Sequence, residues 1–377
     1  MVILSERTMK VTHSTDSVFI NLGPVHPSTH GVFRMRAHVD GEVITEIEPI
    51  FGYLHRGIEK LAEGKSYRQI IPLTDRLDYV SSMTNNLAYC MAVEKLAGIE
   101  VPERAVYIRV IMSELQRILS HLLGIGSFFN DMGTFFTPFF YMFVQKEKIT
   151  DLLEMVSGQR LLYNYMRFGG VSHDLPDTFL PALNRFLREM PAEIDKYEHL
   201  LNENEIVLAR SKNVGVISRE MAINSSVSGP VLRATGVNWD IRKVDPYSYY
   251  DLFDFDVPVG TKGDCYDRYR VRIEELRQSL RILEQAISKL PAGRVLNPVP
   301  LRFRPPAGEA YSHVESNKGE LGFHVISDGS DKPYRLHVRA PSLLNLSALR
   351  EMLIGWKLAD AIIIFGSIDI CLGEVDR

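Results

Sequence analysis

The chain has 377 residues, of which 45% are hydrophobic, so it can bury a large core in one big domain or two intimate ones. Its formal net charge is −4 and it has no basic block, which argues against nucleic acid as a partner. Its three cysteines are far apart, as expected in a reducing compartment without a disulfide framework. Charged residues interrupt the apolar residues of segment 1–20, so no secretory signal is predicted.

Alternating apolar and polar residues predict a small antiparallel sheet near the start of the chain. Residues 18–22 form the first predicted strand. Residues 32–50 alternate on both sides of Asp40-Gly41, a favoured two-residue hairpin turn. A short helix ending near Ala62 follows the sheet.

The segment 23–34 is a predicted loop with a defined shape. Pro24 and Pro27 restrict the backbone and disfavour helix in the residues before them. The loop carries His26 and His30, and histidine is the side chain whose charge changes nearest to neutral pH. A site-forming loop and a purely structural turn are equally compatible with this stretch alone.

A mostly helical region is predicted from Pro72 onward. The helical spacing of apolar residues predicts helices at 75–96, with Thr74 as its N-cap, and at 102–123, 146–160, 181–202 and 267–290. Long amphipathic helices of this kind are typical of a bundle core.

The apolar stretch 122–144 is long enough to cross a bilayer. Its glycines, Asp131 and Pro138 instead favour a buried segment of a protein without membrane spans. A carboxylate among apolar residues needs a partner. For Asp131 that partner would be a histidine or one of the many arginines.

The last part of the chain predicts strands and one helix. A proline-rich connector at 291–308 precedes predicted strands at 322–327 and 334–340, a helix at 343–357 and a strand at 361–365. The expected fold class is α+β, with a helical bundle core, a small N-terminal antiparallel sheet and C-terminal strands. The expected regions are 1–66, 67–292 and 293–377, packed as one intimate unit.

Several common sites are excluded by missing motifs. The sequence has no glycine-rich dinucleotide fingerprint, no phosphate-binding loop and no His-Glu-x-x-His motif. It also has no Cys-x-x-Cys pair, so the chain lacks the usual ligands for its own iron–sulfur cluster or structural zinc. A redox role would therefore need a cofactor held mainly by another protein.

The run Asp75-Arg76-Leu77-Asp78-Tyr79 is expected to open a helix, where acidic residues are favourable. This expectation explains Asp75 better than Tyr79. A phenol can donate a hydrogen bond and a proton, which suits a carbonyl group that is being reduced.

Several long motifs occur in the same order as the motifs of a known family. They lie at 23–34, 54–57, 75–81, 131–140, 169–170, 255–258 and 373–377. The sequence closely resembles the quinone-site subunit of respiratory complex I, the proton-pumping NADH:quinone oxidoreductase, over nearly the whole chain. The resemblance implies a subunit that reduces quinone, coupled to proton translocation.

That family is similar to the large subunit of nickel–iron hydrogenases, which implies the same fold without the metal site. The positions of the four nickel-binding cysteines fall here on Asp78, Ser81, Cys371 and Glu374. Because only one thiol remains, no metal is expected. The resemblance implies that the quinone headgroup enters this cavity and receives electrons from a [4Fe–4S] cluster held by a small partner subunit. NAD would bind elsewhere in the complex.

The resemblance also implies roles for single residues. His30 and Tyr79 match residues that flank the quinone headgroup and supply protons to it. Asp131 matches the carboxylate that pairs with that histidine. Asp369 is expected to line the cavity.

Two arginines, Arg56 and Arg76, match residues near the partner's cluster. The implied partners are the small [4Fe–4S] subunit, other peripheral-arm subunits and a membrane-arm subunit at the quinone entrance. The implied location is peripheral, on the cytoplasmic face of a bacterial inner membrane or the matrix side in an organelle. One departure is Leu162, which replaces a histidine found in many relatives.

Three alternatives remain open from the sequence. A complex fed by ferredoxin or another donor would need the same subunit. An energy-converting hydrogenase large subunit is opposed by the missing thiols, and a non-catalytic scaffold is opposed by the retained His30, Tyr79 and Asp131.

Overall fold

The computed structural model describes residues 17–26, 31–134 and 137–377. Its strands are β1 (Ser17–Leu22), β2 (Val25–His26), β3 (Gly31–Val32), β4 (Arg34–Asp40), β5 (Val43–Ile50), β6 (Met166–Arg167), β7 (Gly170–Val171), β8 (Gly308–Ser316), β9 (Gly319–Ser327) and β10 (Pro333–Arg339). The α-helices are α1 (Ile58–Glu63), α2 (Tyr67–Thr74), α3 (Ser82–Ala97), α4 (Glu103–Asp131), α5 (Thr137–Ser157), α6 (Phe179–Asn202), α7 (Glu205–Ser211), α8 (Arg219–Asn224), α9 (Gly229–Arg233), α10 (Ile241–Val244), α11 (Cys265–Ser288), α12 (Pro341–Leu346), α13 (Leu349–Leu353), α14 (Leu358–Ile368) and α15 (Leu372–Asp376). Mixed helices and small antiparallel sheets agree with the α+β expectation.

The N-terminal sheet is a three-stranded antiparallel sheet in the order β1-β4-β5. The predicted strand at 18–22 and the hairpin around Asp40-Gly41 are both confirmed. Alternate residues of β4 are buried, as the period of two requires. Phe33, just before β4, stacks on Phe365 of α14 at 5.0 Å between ring centroids. This contact joins the sheet to the helical core.

Helix α4 is the 29-residue central helix, and it packs against α3, α5, α11 and α14. The prediction that it ends at residue 123 is wrong, because the helix continues through Gly124 and Gly126. A Cβ atom on Gly124 would lie 2.8 Å from the Asp369 carboxylate, and one on Gly126 would lie 3.2 Å from Cα of Phe139. These glycines allow close packing inside a helix, at a cost of about 1 kcal/mol each in helix propensity.

The predicted helix at 75–96 is also wrong in its first turns. Thr74 ends α2 instead of capping a new helix, Pro72 lies inside α2, and α3 begins only at Ser82. Side-chain hydrogen bonds favour the break, since Asn85 Nδ2 donates to the carbonyl oxygens of Thr74 (3.1 Å) and Asp78 (2.9 Å). Residues 75–81 therefore form a series of turns that is mostly buried, with Arg76 and Tyr79 exposed, and the acidic run does not open a helix.

The C-terminal sheet has the antiparallel order β10-β9-β8. The two predicted strands correspond to β9 and β10, whereas β8 was not predicted. The prediction of a strand at 361–365 is wrong, because these residues lie in α14; a short apolar run does not distinguish a strand from a buried helix. The predicted helix at 343–357 is two short helices, α12 and α13.

The buried apolar side chains form one cluster that runs from Phe33 to Val375. All three cysteines are buried as free thiols. Within the described residues, no helix combines the length and apolar character needed to cross a membrane. The apolar stretch 122–144 is divided between α4 and α5.

Candidate functional site

A cavity of about 720 Å³ lies where the N-terminal hairpin, α4 and the C-terminal segment meet. Its walls come from distant parts of the chain: Val25, Gly31, Val32, Tyr79, Val80, Ser120, Leu123, Gly124, Ser127, Asn130, Asp131, Phe139, Lys318, Gly366, Asp369, Ile370 and Cys371. Most of the lining surface is apolar, and several polar side chains interrupt it. A cavity of this size and character can hold a ring-shaped organic headgroup with oriented polar contacts.

Tyr79 lies in the turns before α3, with its side chain 48% exposed. Its backbone is held from both sides, because Ser82 Oγ donates to the Tyr79 carbonyl at 3.1 Å and Gln116 Nε2 donates to the neighbouring Val80 carbonyl at 2.5 Å. Proximity to the Cys371 sulfur and partial burial raise the pKa of the Tyr79 phenol. The hydroxyl therefore keeps its proton at neutral pH and can donate a hydrogen bond into the cavity.

Asp131 is the last residue of α4, where it is partly buried and lines the cavity. His30, its predicted partner, lies outside the described residues. Gly31 and Val25, on either side of that stretch, both line the same cavity. Gly31 has φ 136°, and a Cβ atom there would lie 2.9 Å from Leu372 Cδ1, so the hairpin packs closely against α15.

Asp369 follows α14 and lines the cavity in a left-handed conformation, with φ 60°. Its carboxylate faces two cations. Oδ2 lies 3.8 Å from Arg272 Nε, and Oδ1 lies 3.9 Å from Lys318 Nζ. The absence of a side chain on Gly124 leaves the space that this carboxylate occupies.

Lys318 is a cavity residue that was not predicted from the sequence. It lies in the tight turn between β8 and β9, which inserts between the start of α3 and the middle of α4. Beside it, Asn317 exchanges short hydrogen bonds with Ser81 and Ser120. The only signal in the sequence is a polar Ser-Asn-Lys-Gly turn, which is typical of exposed hairpins.

Behind Lys318 lie the positions that matched nickel ligands in the resemblance. Lys318 Nζ lies 3.2 Å from Asp78 Oδ2. Burial and the nearby Asp78 raise the pKa of Glu374 to about 7, and burial raises the pKa of the Cys371 thiol. In the described part of the chain, no three His, Cys, Asp or Glu side chains are placed to hold a metal ion.

Arg56 and Arg76 do not line the cavity, but they lie beside each other on the surface. Arg56 Nη2 donates to the carbonyl oxygens of Arg76 and Gly373, both at 2.8 Å. Asp376 fixes the same loop, because its carboxylate accepts from the backbone N–H groups of Gly52 and Leu54. The C-terminal segment thus fixes the Arg56 side chain beside the Arg76 backbone.

A second feature that was not predicted from the sequence is a buried ionic network around α11. Arg233 is fully buried and donates to Glu275 Oε1 at 2.6 Å and to Glu315 Oε1 at 2.7 Å. The other Glu275 oxygen bonds His121 Nε2 at 2.7 Å. Burial lowers the pKa of His121. Arg272, one turn before Glu275 on the same helix, lies 3.8 Å from the Asp369 carboxylate.

The buried carboxyl group of Asp75 is expected to make the free energy of unfolding depend on pH. Burial raises its pKa to about 7, against 3.8 for an ordinary aspartate, so the folded chain resists an ionisation that the unfolded chain undergoes. The contribution of Asp75 to stability therefore falls as pH rises from about 4 to about 7, and it does not change further above pH 7. We expect Asp75→Asn to gain stability relative to the parent across this window. Denaturation midpoints of the purified chain at several pH values measure it, and a pH-independent difference would contradict it.

Comparison with known proteins gives consistent matches. A family model described as the 49 Kd subunit of respiratory-chain NADH dehydrogenase matches residues 131–301 and 299–377. The chain is 65% identical over 363 residues to the D subunit of an NADH-quinone oxidoreductase from Dehalococcoides mccartyi, covering 96% of this chain and 99% of the relative. It is 54% identical over 371 residues to a D subunit of the same enzyme from Roseiflexus sp., with 96% and 99% covered. The D subunit from Carboxydothermus hydrogenoformans is 51% identical over 362 residues, with the same coverage.

Proposed function

The chain belongs to the family of the 49 Kd subunit of respiratory-chain NADH dehydrogenase, and on that premise we propose that its cavity is where quinone is reduced. It is a subunit of an NADH-quinone oxidoreductase, as its relatives are named. The observation that carries the proposal is the placement of Tyr79, Asp131 and Asp369 around one largely apolar cavity. A quinone headgroup needs such an apolar slot with polar groups aimed at its two carbonyl oxygens.

Tyr79 is the proton donor in this proposal. Its phenol is protonated at neutral pH and faces the cavity from a rigid turn. Reduction of quinone to quinol takes two electrons and two protons, so a donor within hydrogen-bond reach of a carbonyl oxygen lowers the barrier. No other tyrosine among the described residues lines the cavity.

His30 and Asp131 act as one unit in this proposal. Asp131 lines the cavity, and so do Val25 and Gly31, which lie before and after the segment that carries His30; this placement supports an approach of His30. The carboxylate would orient the imidazole and favour its protonated form. In a double-mutant cycle with His30→Ala and Asp131→Asn, we expect an interaction energy above about 1 kcal/mol in quinone reductase activity. Additive losses would mean that the two residues work separately.

The partners follow from the electron path. The chain has no ligand set for a cluster of its own in the described residues, so electrons would come from a [4Fe–4S] cluster of a small partner subunit. Arg56 and Arg76 offer positive charge to that cluster at one surface. NAD would bind elsewhere in the complex. A membrane-arm subunit would contact this chain where quinone enters the cavity. This chain would be peripheral, on the cytoplasmic or matrix side of the membrane. Crosslinks from Arg56→Cys to the cluster subunit test this arrangement; crosslinks only to other subunits would contradict it.

The fold is proposed to be that of a nickel–iron hydrogenase large subunit without its metal. The four positions that match nickel ligands are neighbours, and Lys318 Nζ lies 3.2 Å from one of them, Asp78. A resident ammonium group supplies the positive charge that a metal ion would bring. Stoichiometric nickel in the purified complex would contradict the proposal that the cavity is a former metal site without its metal.

Filling the cavity tests the proposed function directly. Ser127 lies on the cavity wall of α4, so a Ser127→Trp side chain would occupy the space of the headgroup. We expect a raised KM for quinone, while electron transfer from NADH to a small soluble oxidant, which does not need the cavity, stays normal. Arg188→Trp on the exposed face of α6 is the control. An unchanged KM for quinone in an assembled Ser127→Trp complex would refute the site.

A further inference from the structure

We infer that Lys318 is a catalytic residue of quinone reduction, a fixed cation that stabilises the negative charge developing on the quinone oxygen. This inference rests on the proposed function and adds an electrostatic role to the proton-donating role of Tyr79. Among the described residues that line the cavity, Lys318 is the only one with a cationic side chain.

The ammonium group is buried at the cavity wall with donor capacity to spare. Its side chain is 3% exposed. Nζ donates to Ser120 Oγ at 3.3 Å and forms ion pairs with Asp78 at 3.2 Å and Asp369 at 3.9 Å. An ammonium has three N–H donors, and in the described part of the chain only Ser120 accepts a hydrogen bond from it. A carbonyl oxygen in the cavity can therefore become a further acceptor.

The turn that carries Lys318 is fixed from several sides. Asn345 Nδ2 donates to the Lys318 carbonyl at 2.9 Å, and the Lys318 N–H donates to Ser316 Oγ. Gly319 packs against α9 so closely that a Cβ atom there would lie 2.4 Å from Ser228 Oγ. A charge held this way needs no reorganisation when the reaction occurs, which is the condition for strong electrostatic catalysis.

The charged groups around Lys318 do not prevent its ammonium group from attracting a negative charge in the cavity. Two cations, Lys318 and Arg272, face two carboxylates, Asp78 and Asp369. Glu374 is the third carboxyl group nearby, and burial favours its neutral form. The cluster is therefore close to neutral before quinone arrives, so no excess of carboxylates repels a negative charge on the headgroup. Lys318 is the positive group at the cavity wall that attracts this charge. The low dielectric of the buried site strengthens this attraction.

The role of Lys318 does not change the electrons and protons that quinone reduction requires. The partner's cluster would supply two electrons, one after the other. The quinone would take two protons, one from the Tyr79 hydroxyl and one from the protonated imidazole of His30, to become quinol. Lys318 neither gives nor takes a proton, and no bond forms to it. Its ammonium group only lowers the energy of the negatively charged headgroup, in the interval after an electron has arrived and before the matching proton arrives.

Three variants in the assembled complex test the role. Lys318→Met removes the charge, Lys318→Arg keeps it, and the double variant Lys318→Met/Asp78→Asn removes it together with its partner carboxylate, so that no buried charge is left unpaired. We expect Lys318→Met to lose about 10²–10³ in kcat, the scale seen when one preorganised stabilising group is removed. KM should change little, and Lys318→Arg should recover most of the rate. Lys332→Met, in the exposed β9–β10 turn, is the matched control.

The double variant separates catalysis from stability. We expect it to assemble normally and to remain slow, because the cation is absent although the cluster is balanced. A double variant with the parent kcat would overturn the role of Lys318. A photoreactive quinone analogue, applied in parallel, reports the proposed function independently. If the analogue labels the cavity but the double variant has the parent kcat, only the role of Lys318 is overturned. If the analogue labels the parent protein outside the cavity, both the proposed function and the role of Lys318 are overturned.

Discussion

Replacement of Tyr79 by phenylalanine is expected to remove most quinone reduction while the complex assembles normally. The change deletes one hydroxyl from a half-exposed side chain, so packing in the turns before α3 should survive. The loss of a positioned general acid is expected to slow turnover by about 10²–10⁴. Steady-state kinetics with the native quinone, together with a native gel for assembly, give the measurement.

Tyr334→Phe is the matched control for this variant. Tyr334 is 69% exposed on β10 and lies outside the cavity lining, so the same loss of a hydroxyl should leave quinone reduction unchanged. If Tyr79→Phe worked within a factor of two of the parent protein, the phenol would not supply a proton in the rate-determining step.

Replacement of Arg233 by methionine is expected to destabilise the fold more than any surface change. Arg233 is fully buried and bonds Glu275 and Glu315 within 2.7 Å. Its removal would leave two buried carboxylates without their shared cation, and breaking such a network typically costs about 3–5 kcal/mol. Chemical denaturation of the purified chain measures the change in the free energy of unfolding.

Arg281→Met supplies a control on α11, the same helix as Glu275. Arg281 pairs with Asp254 and Asp256, whose side chains are mostly exposed, and such surface pairs contribute about 0–1 kcal/mol. Equal losses in the two variants would show that burial of the Arg233 network adds nothing to stability.

Local patterns were sufficient to predict some of the fold. The hairpin at Asp40-Gly41 follows from the alternation and turn chemistry of neighbouring residues, and the amphipathic pattern at 267–290 predicted α11 within two residues at each end. These elements depend on contacts that are close in sequence or on one clear apolar face. The same reasoning failed at 361–365, where a short apolar run is buried on nearly every side of a helix.

Tertiary contacts decided the features that local patterns missed. The predicted helix ended just before Gly124, but the helix continues, and this glycine makes room for Asp369, which is 245 positions further along the chain. Lys318 lies in a turn whose polar sequence is typical of an exposed hairpin, and only its insertion between Ser81 and Ser120 buries it at the cavity. Neither pairing is visible in the sequence around these residues.

The candidate site was predicted from motifs and not from periodicity. Tyr79, Asp131 and Asp369 were selected by resemblance, and all three lie on the wall of one cavity. Arg56 and Arg76 were placed near a partner's cluster, and they lie together on the surface outside the cavity. The catalytic and electron-transfer roles of these residues stay predictions.

A cryo-electron microscopy structure of the assembled complex with a bound quinone analogue tests the central claim most directly. The account predicts that the headgroup lies in the cavity, with one carbonyl oxygen within about 3.2 Å of the Tyr79 hydroxyl, as a hydrogen bond requires, and with Lys318 on the cavity wall beside it. A headgroup bound only outside the cavity, out of reach of Tyr79 while turnover is normal, would contradict it.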